Sequence, residues 1–296
     1  MIVVICGPTG TGKSSFAIKL AKAIDGEIIN GDAFQVYKHL NIATAKPSEE
    51  AFKEVPHHLY DISEVDEDYT VAHYQKDARI AIDNVRKRGK TPIIVGGSGL
   101  YIRATLYDYE FSEMPKVDLS EYESKTNSEL HNYLSEIDKE SANKIHPNNR
   151  KRLLRAIEIY LATGESKSAI EAKQKQELIE EAHFFALDID RKLLYEHLDE
   201  RVNKMVEAGL FEEVENLLKK HPHNARAFEA IGYKQVVQGK QCNLTKAEII
   251  ADIQKATRNY AKRQIAYFKH QLPTIWVKSW DEVANILEDL YDGRKN

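Results

Sequence analysis

Gly7-Pro8-Thr9-Gly10-Thr11-Gly12-Lys13-Ser14 matches the eight-residue phosphate-loop pattern in full. It follows Ile2-Val3-Val4-Ile5-Cys6, a β-branched run fit for a strand buried on both faces. It opens residues 14–24, where Phe16, Ile18, Leu20 and Ala21 fall at helical spacing. Strand, glycine-rich loop and helix, in that order, are the context the pattern requires. The glycines let the backbone wrap a phosphate with its N–H groups, and the helix N-terminus adds partial positive charge. Lys13 reaches the phosphates, and Ser14 can ligate Mg²⁺. The alternative, an ordinary glycine-rich turn, has no reason to carry pattern and context together.

Working outward, Glu27-Ile28-Ile29-Asn30 reads as a second short strand that ends at Gly31-Asp32. Residues 69–88 read as a helix with Val71, Tyr74, Ala78, Ile82 and Val85 on one face, stopped by Gly89. Residues 91–95 are another buried strand, ending in Gly96-Gly97-Ser98-Gly99. This alternation predicts an α/β fold, a parallel sheet of the phosphate-loop NTPase type covered by helices. After Tyr101 the texture changes. Residues 113–183 are rich in Glu, Lys, Ser and Asn, with helices expected at 129–137 and 150–163, and no strand is evident before His183-Phe184-Phe185-Ala186-Leu187. The expected organisation is a first core segment at 1–113, a helical insertion at 114–183, and a mostly helical core continuation at 184–296. Ile275-Trp276-Val277 offers a last strand, and Leu193, Leu194, Leu198, Val202 and Met205 are expected in the core.

The chain has 296 residues, 42% of them hydrophobic and 30% charged, so a packed core is feasible and wholesale disorder is excluded. No apolar run approaches the roughly 18 residues of a membrane span. The N-terminus reads as a strand, not a leader, and the expected location is the cytoplasm, with no membrane and no obligate protein partner. Only two cysteines, Cys6 and Cys242, are present, too few for a disulfide framework or an all-cysteine zinc site; Cys6 is expected in the core. His57 and His58 have no companions at metal spacing. The net charge of −4 excludes a uniformly basic nucleic-acid coat but allows a local basic groove.

Phosphate-loop hydrolases usually carry an acid at the end of a second apolar strand. Here the strand at 91–95 ends in glycines and Ser98, and the nearby carboxylate is Asp32. A transferase acting on a diphosphate or triphosphate therefore fits better than a motor-type ATPase. By spacing alone, Asp32 is equally a turn residue at a strand end. The run Arg150-Lys151-Arg152-Leu153-Leu154-Arg155 is by itself either a solvated helix face or a phosphate-binding stripe, and four basic residues among six in a chain of negative net charge fit the stripe. Arg258, Lys262 and Arg263 share a helical face by spacing.

Asp32-Ala33-Phe34-Gln35-Val36-Tyr37, Thr44-Ala45-Lys46-Pro47, Pro56-His57-His58-Leu59 and Gly96-Gly97-Ser98-Gly99-Leu100-Tyr101 resemble the tRNA dimethylallyltransferase (isopentenyl-diphosphate:tRNA transferase) family. So do His146-Pro147-Asn148, residues 152–158, Ile231-Gly232-Tyr233 and residues 257–264. The resemblance runs from the phosphate loop to about residue 270, in the family's order. It implies transfer of a dimethylallyl group from dimethylallyl diphosphate to N6 of the adenine 3′ to the anticodon, in tRNAs reading codons that begin with U. It implies Mg²⁺, and a helical insertion that grips the anticodon stem-loop. The eukaryotic relatives' C-terminal zinc finger has no counterpart here, which implies the bacterial type.

The residue types suit that chemistry. An adenine N6 is a poor nucleophile, so a base must take its proton, and Asp32 is the candidate. The leaving diphosphate gathers charge that N–H groups, Lys13 and Mg²⁺ at Ser14 would stabilise. The resemblance adds Ser98 near Asp32, Arg201 and Arg152 as phosphate or tRNA contacts, and tRNA contacts at Asp32, Ala33, Phe34, Gln35, Ser98, Lys151, Arg152, Leu153, Leu154 and Arg155. The phosphate site itself comprises Gly7, Pro8, Thr9, Gly10, Thr11, Gly12, Lys13 and Ser14. The adenine must leave its stack to react. The sequence departs from the family at Ala33 (usually Ser), Ala43 (Gly), Ser98 (Thr), Asn149 (Asp), His197 (often Arg) and Ala266-Tyr267 (Thr-Trp). Three rivals remain: prenylation of free AMP, ADP or ATP, a small-molecule kinase, and an RNA-binding protein without turnover.

Overall fold

Six strands form one parallel sheet in a computed structural model of the chain, which describes residues 1–111, 114–173 and 177–292. They are β1 (Ile2–Cys6), β2 (Gly26–Asn30), β3 (His57–His58), β4 (Thr91–Val95), β5 (Ala182–Leu187) and β6 (Thr274–Val277). Their order is β3-β2-β4-β1-β5-β6, and every pairing is parallel. Central β1 is buried along its whole length, which explains its unbroken apolar run. Its alternate residues Val3 and Ile5 join Ile28, Ile93 and Val95 on one face, against Ala17, Leu20 and Ala21 of the Lys13–Ala23 helix. Val283 and Leu287, from the Asp281–Asp292 helix, complete that layer. Each such Leu or Ile contributes roughly 1.5–3 kcal/mol by leaving water.

The strand order decides where a ligand can sit. The crossover from β1 passes β4 to reach β2, and the chain later returns past β1 to β5, so the direction of winding reverses beside β1. Crevices outside the carboxyl ends of strands at such a reversal are the usual ligand sites of open α/β sheets. Asn30 is in register with Val95, and Val95 with Ile5. The three turns that follow β2, β4 and β1 therefore leave the sheet side by side.

Helices Arg191–Glu207, Leu210–Leu218, Tyr233–Gln241 and Lys246–Gln271 pack around the segment after β2. Leu210, Phe211, Val214 and Leu217 form one helical face, and they join Val36, Tyr37, Tyr74, Tyr233, Val236 and Ile253 in a second core. The longest helix starts at a capping box between Thr245 and Glu248. Leu194, Leu198, Val202 and Met205 sit in or against the core as expected, but Leu193 is 44% exposed and is a surface residue. Helical spacing put it one position off the buried stripe. Cys6 is fully buried, and burial pushes its thiol up to about 12.

Contacts divide the chain into two units, residues 1–107 with 178–296, and residues 108–177. The second unit is helical. It contains Asn127–Ile137, capped by Thr126 with Glu129, then Lys139–Lys144, Arg150–Thr163 and Lys167–Lys173. Its core is Leu130, Leu134, Ala142, Ile145, Leu153, Ala156 and Ile157. Buried Asp138 ties it together by accepting the N–H groups of Ser141 and Ser168, each at 2.9 Å. The insertion expected at 114–183 differs from this unit at its far end. Residues 178–183 belong to the first unit because β5 begins at Ala182 and pairs with β1. The near end differs too: residues 108–111, expected in the core segment 1–113, belong to the second unit, and residue 113 itself lies outside the described residues. The two-residue β3 has no period to detect, whereas the helix Asp281–Asp292 carries Val283, Ile286, Leu287 and Leu290 at helical spacing, a signal not taken up in the expected elements.

Candidate active site

The phosphate loop leaves β1 through three glycines with positive φ, Gly7, Gly10 and Gly12. Its Pro8 carbonyl accepts hydrogen bonds from Thr11 Oγ1 at 3.0 Å and Lys13 Nζ at 2.6 Å. Burial, reinforced by the charge of Arg201, pushes the Lys13 ammonium down to about 8. Trp280 closes the outer side of the loop. Its indole N–H donates to the Thr11 carbonyl at 3.0 Å, and its ring stacks on Phe16 with centroids 4.9 Å apart.

Asp32 stands in the turn after β2, and buried Asn30 shapes that turn. The Asn30 carboxamide accepts the Asp32 N–H at 2.9 Å and donates to the carbonyls of Asp32 and Leu59 at 3.1 and 3.0 Å. Tyr74 holds the Asn30 carbonyl at 2.7 Å. The Asp32 carboxylate accepts the Phe34 N–H at 2.9 Å. Burial raises its affinity for a proton, while the N–H groups of Phe34 and Gln35, Lys13 and Arg201 oppose that rise. Burial lowers the Arg201 guanidinium, and Asp32 opposes that shift.

The third turn, Gly96-Gly97-Ser98-Gly99, is glycine-rich for a steric reason. A Cβ on Gly96 would overlap the backbone of Gly31, and one on Gly97 would overlap the Gln264 carboxamide. Ser98 Oγ accepts the Ala33 N–H at 2.9 Å, so the hydroxyl supports the Asp32 turn. Tyr260 interacts with Ser98 and Gln264, and burial raises its phenol. Lys13, Asp32, Arg201, Tyr60, Tyr260 and Gln264 line one cavity of about 450 Å³. The phosphate loop forms one side of it, and apolar Val202, Met205 and Ile253 form part of another. Such a cavity fits an anionic group on the cations and N–H donors, with a carboxylate and an apolar wall beside it.

Thr9, Gly10, Thr11, Gly12, Lys13, Ser14, Asp32, Phe34, Gln35 and Arg201 thus meet in one cavity. Gly7 packs against Ala186 and shapes the loop from behind. Gln35 donates to the carbonyls of Thr44 and Ala45 at 2.9 and 3.3 Å, fixing that part of the wall. Ala43 packs against Gly232, where any Cβ would crowd it. In the second unit, Lys151, Arg152 and Arg155 are exposed, with Arg155 paired to Glu158 at 2.7 Å. Asn149 caps this helix by accepting the Arg152 N–H at 3.4 Å. Leu153 is fully buried, so its side chain belongs to the core of this unit and does not face solvent, and Leu154 is half-buried against the same core. Helical spacing inside the basic run turns Leu153 inward. Arg258 is ion-paired with Asp199, Arg263 lines the cavity and Lys262 is exposed, so the expected basic face is divided.

Asn30, Gln264, Tyr260, Tyr60 and Trp280 were not singled out in the sequence. Only Tyr260 and Gln264 had a signal, inside the motif at 257–264.

A model of the IPP transferase family matches residues 35–271. A tRNA dimethylallyltransferase of Anoxybacillus flavithermus is 43% identical over 95% of this chain and 91% of its own length. The crystal structure of a tRNA delta(2)-isopentenylpyrophosphate transferase from Staphylococcus epidermidis superposes with a TM-score of 0.73 at 36% identity, covering 99% of both chains. That of a eukaryotic dimethylallyltransferase acting on tRNA superposes at 0.83 with 28% identity, covering 99% of this chain and 79% of the other.

Proposed function

The chain belongs to the IPP transferase family, and on that premise we propose that it transfers a dimethylallyl group from dimethylallyl diphosphate to tRNA. The acceptor is N6 of the adenine 3′ to the anticodon, in tRNAs that read codons beginning with U. The observation that carries this reading is the meeting of Lys13, Arg201 and Asp32 in one cavity. The diphosphate lies on the loop N–H groups, Lys13 and Arg201. N6 attacks the allylic carbon, the C–O bond to the diphosphate breaks, and Asp32 takes the N6 proton as the C–N bond forms. Burial favours this by raising the basicity of the carboxylate.

Mg²⁺ suits the donors present. Among the described residues no group of three or more His, Cys, Asp or Glu could hold a metal by itself. Ser14 lines the cavity beside Lys13, and its hydroxyl would hold the ion together with the substrate's phosphate oxygens. When bound it neutralises charge on the leaving diphosphate. Among the described residues no helix is long and apolar enough to cross a membrane, and we place the reaction in the cytoplasm, where tRNA is available. The second unit meets the anticodon stem-loop through Lys151 and Arg152, which are exposed on one helix.

A transfer assay tests this reading. Labelled dimethylallyl diphosphate and Mg²⁺ are offered with unmodified tRNA, and separately with AMP and ATP. Label in tRNA, lost in Asp32→Ala, is expected. Label in free nucleotide would reassign the acceptor, and ATP consumption without label in either would point to a kinase.

A further inference from the structure

We infer that Gln264 is a positioning residue that couples the phosphate loop to the turn behind Asp32. The inference deepens the prenyl-transfer reading and rests on it. Gln264 lies within the Lys246–Gln271 helix and is only 4% exposed. Its Oε1 accepts the Thr9 N–H at 3.0 Å, and its Nε2 donates to the Gly97 carbonyl at 3.0 Å. One planar carboxamide therefore joins two turns that leave different strands.

The first contact acts on Lys13. Pro8 carbonyl and Thr9 N–H belong to the same peptide unit, and a trans planar peptide points them in opposite directions. Gln264 holds the N–H end, so the carbonyl end faces Thr11 and Lys13, which both donate to it. The carboxamide thus sets the orientation of the group on which Lys13 rests. It also keeps one loop donor turned away from the phosphate, leaving the remaining N–H groups to receive it.

The second contact acts on Asp32. Gly97 precedes Ser98, whose Oγ accepts the Ala33 N–H beside Asp32. Tyr260, one helical turn before Gln264, interacts with both Ser98 and Gln264. Gly97 cannot carry a side chain because Gln264 fills that space. The path from Thr9 through Gln264, Gly97 and Ser98 to Ala33 fixes the separation between the diphosphate and the base. That separation governs whether N6 and the allylic carbon meet in line, since small misplacements are costly in a preorganised site.

Two variants separate these contacts. Gln264→Glu keeps an acceptor for Thr9 but loses the donor to Gly97. Gln264→Leu loses both. Steady-state transfer is measured with labelled dimethylallyl diphosphate and tRNA, and melting temperature is followed for each protein. Gln264→Glu is expected to lower kcat about tenfold or more with little change in KM for dimethylallyl diphosphate. Gln264→Leu is expected to lower kcat and raise that KM. The KM rise should largely vanish when Lys13→Ala is the background, because Gln264 acts on that KM through Lys13. The assignment is overturned if both variants move kcat and KM together in proportion to lost melting temperature, if the KM rise persists without Lys13, or if both match the unaltered protein. Absence of transfer by the unaltered protein would instead remove the prenyl-transfer reading, and this assignment with it.

Discussion

Asp32 and Lys13 both line one cavity, and each is shifted by burial toward its neutral form. For Asp32 this strengthens the base that must take a proton from a weak nucleophile. Asp32→Asn keeps the shape of the turn and removes the base, so kcat should fall by about 10²–10⁴. Binding of tRNA, measured separately by filter retention, should persist; its collapse would mean that Asp32 holds the tRNA and is not the base. For Lys13 the shift brings deprotonation close to physiological pH. A lysine whose pKa is lowered to about 8 loses its charge as pH rises through that value, so kcat/KM for dimethylallyl diphosphate should decline on the alkaline side. The acid limb should lie above the ordinary carboxylate range, because Asp32 must be ionised to act. Lys13→Arg should move the alkaline limb to higher pH; a profile unchanged by that substitution would assign the limb to another group. The phosphate loop and its lysine were legible in the sequence because their spacing is local. Asn30 was not, because its importance lies in the Leu59 carbonyl that it holds 29 residues away.

At the scale of elements, three turns from β2, β4 and β1 converge; the β2 turn leaves no room for a side chain at Gly96, and Gln264 of the Lys246–Gln271 helix leaves none at Gly97. Gly97→Ala should force the Gln264 carboxamide aside and destabilise the protein by about 1–3 kcal/mol, read as a lower urea midpoint with a loss of transfer. Retention of both would show that the turn can yield. The Arg150–Thr163 helix divides its basic run by period. Leu153 faces inward and Lys151 and Arg152 face solvent, whereas Arg150 donates to the carbonyls of Lys125 and Glu123 at 2.8 and 2.6 Å and is a structural residue. Arg152→Ala should weaken tRNA binding and reduce the salt slope of log K by about one phosphate contact. An unchanged slope would make this face an ordinary solvated surface. Helix and strand positions were readable where a period ran long enough. The two-residue β3 carries no period, and its place beside β2 is a matter of tertiary pairing.

For the molecule as a whole, the helical unit at 108–177 begins and ends on a reciprocal pair of hydrogen bonds, from the Asp108 N–H to the Glu177 carbonyl at 3.1 Å and from the Glu177 N–H to the Asp108 carboxylate at 3.0 Å. The first unit carries its own bridge between Tyr107 and Leu178 just outside that point. Replacing residues 108–177 by a short Gly/Ser turn should therefore leave the first unit folded and able to bind dimethylallyl diphosphate, while tRNA affinity falls. Equal tRNA affinity after the excision would remove the second unit from substrate recognition. The sequence by itself determined the strand, phosphate loop and helix at the N-terminus, the alternation that gives a parallel sheet, and the candidacy of Asp32. Those properties depend on backbone conformation and side-chain period over a few residues. Only the tertiary structure decided the strand order and the meeting of Thr9 with Gln264 and of Thr11 with Trp280. These contacts join residues more than 250 positions apart, and no local period encodes which distant carboxamide or indole will satisfy a given turn.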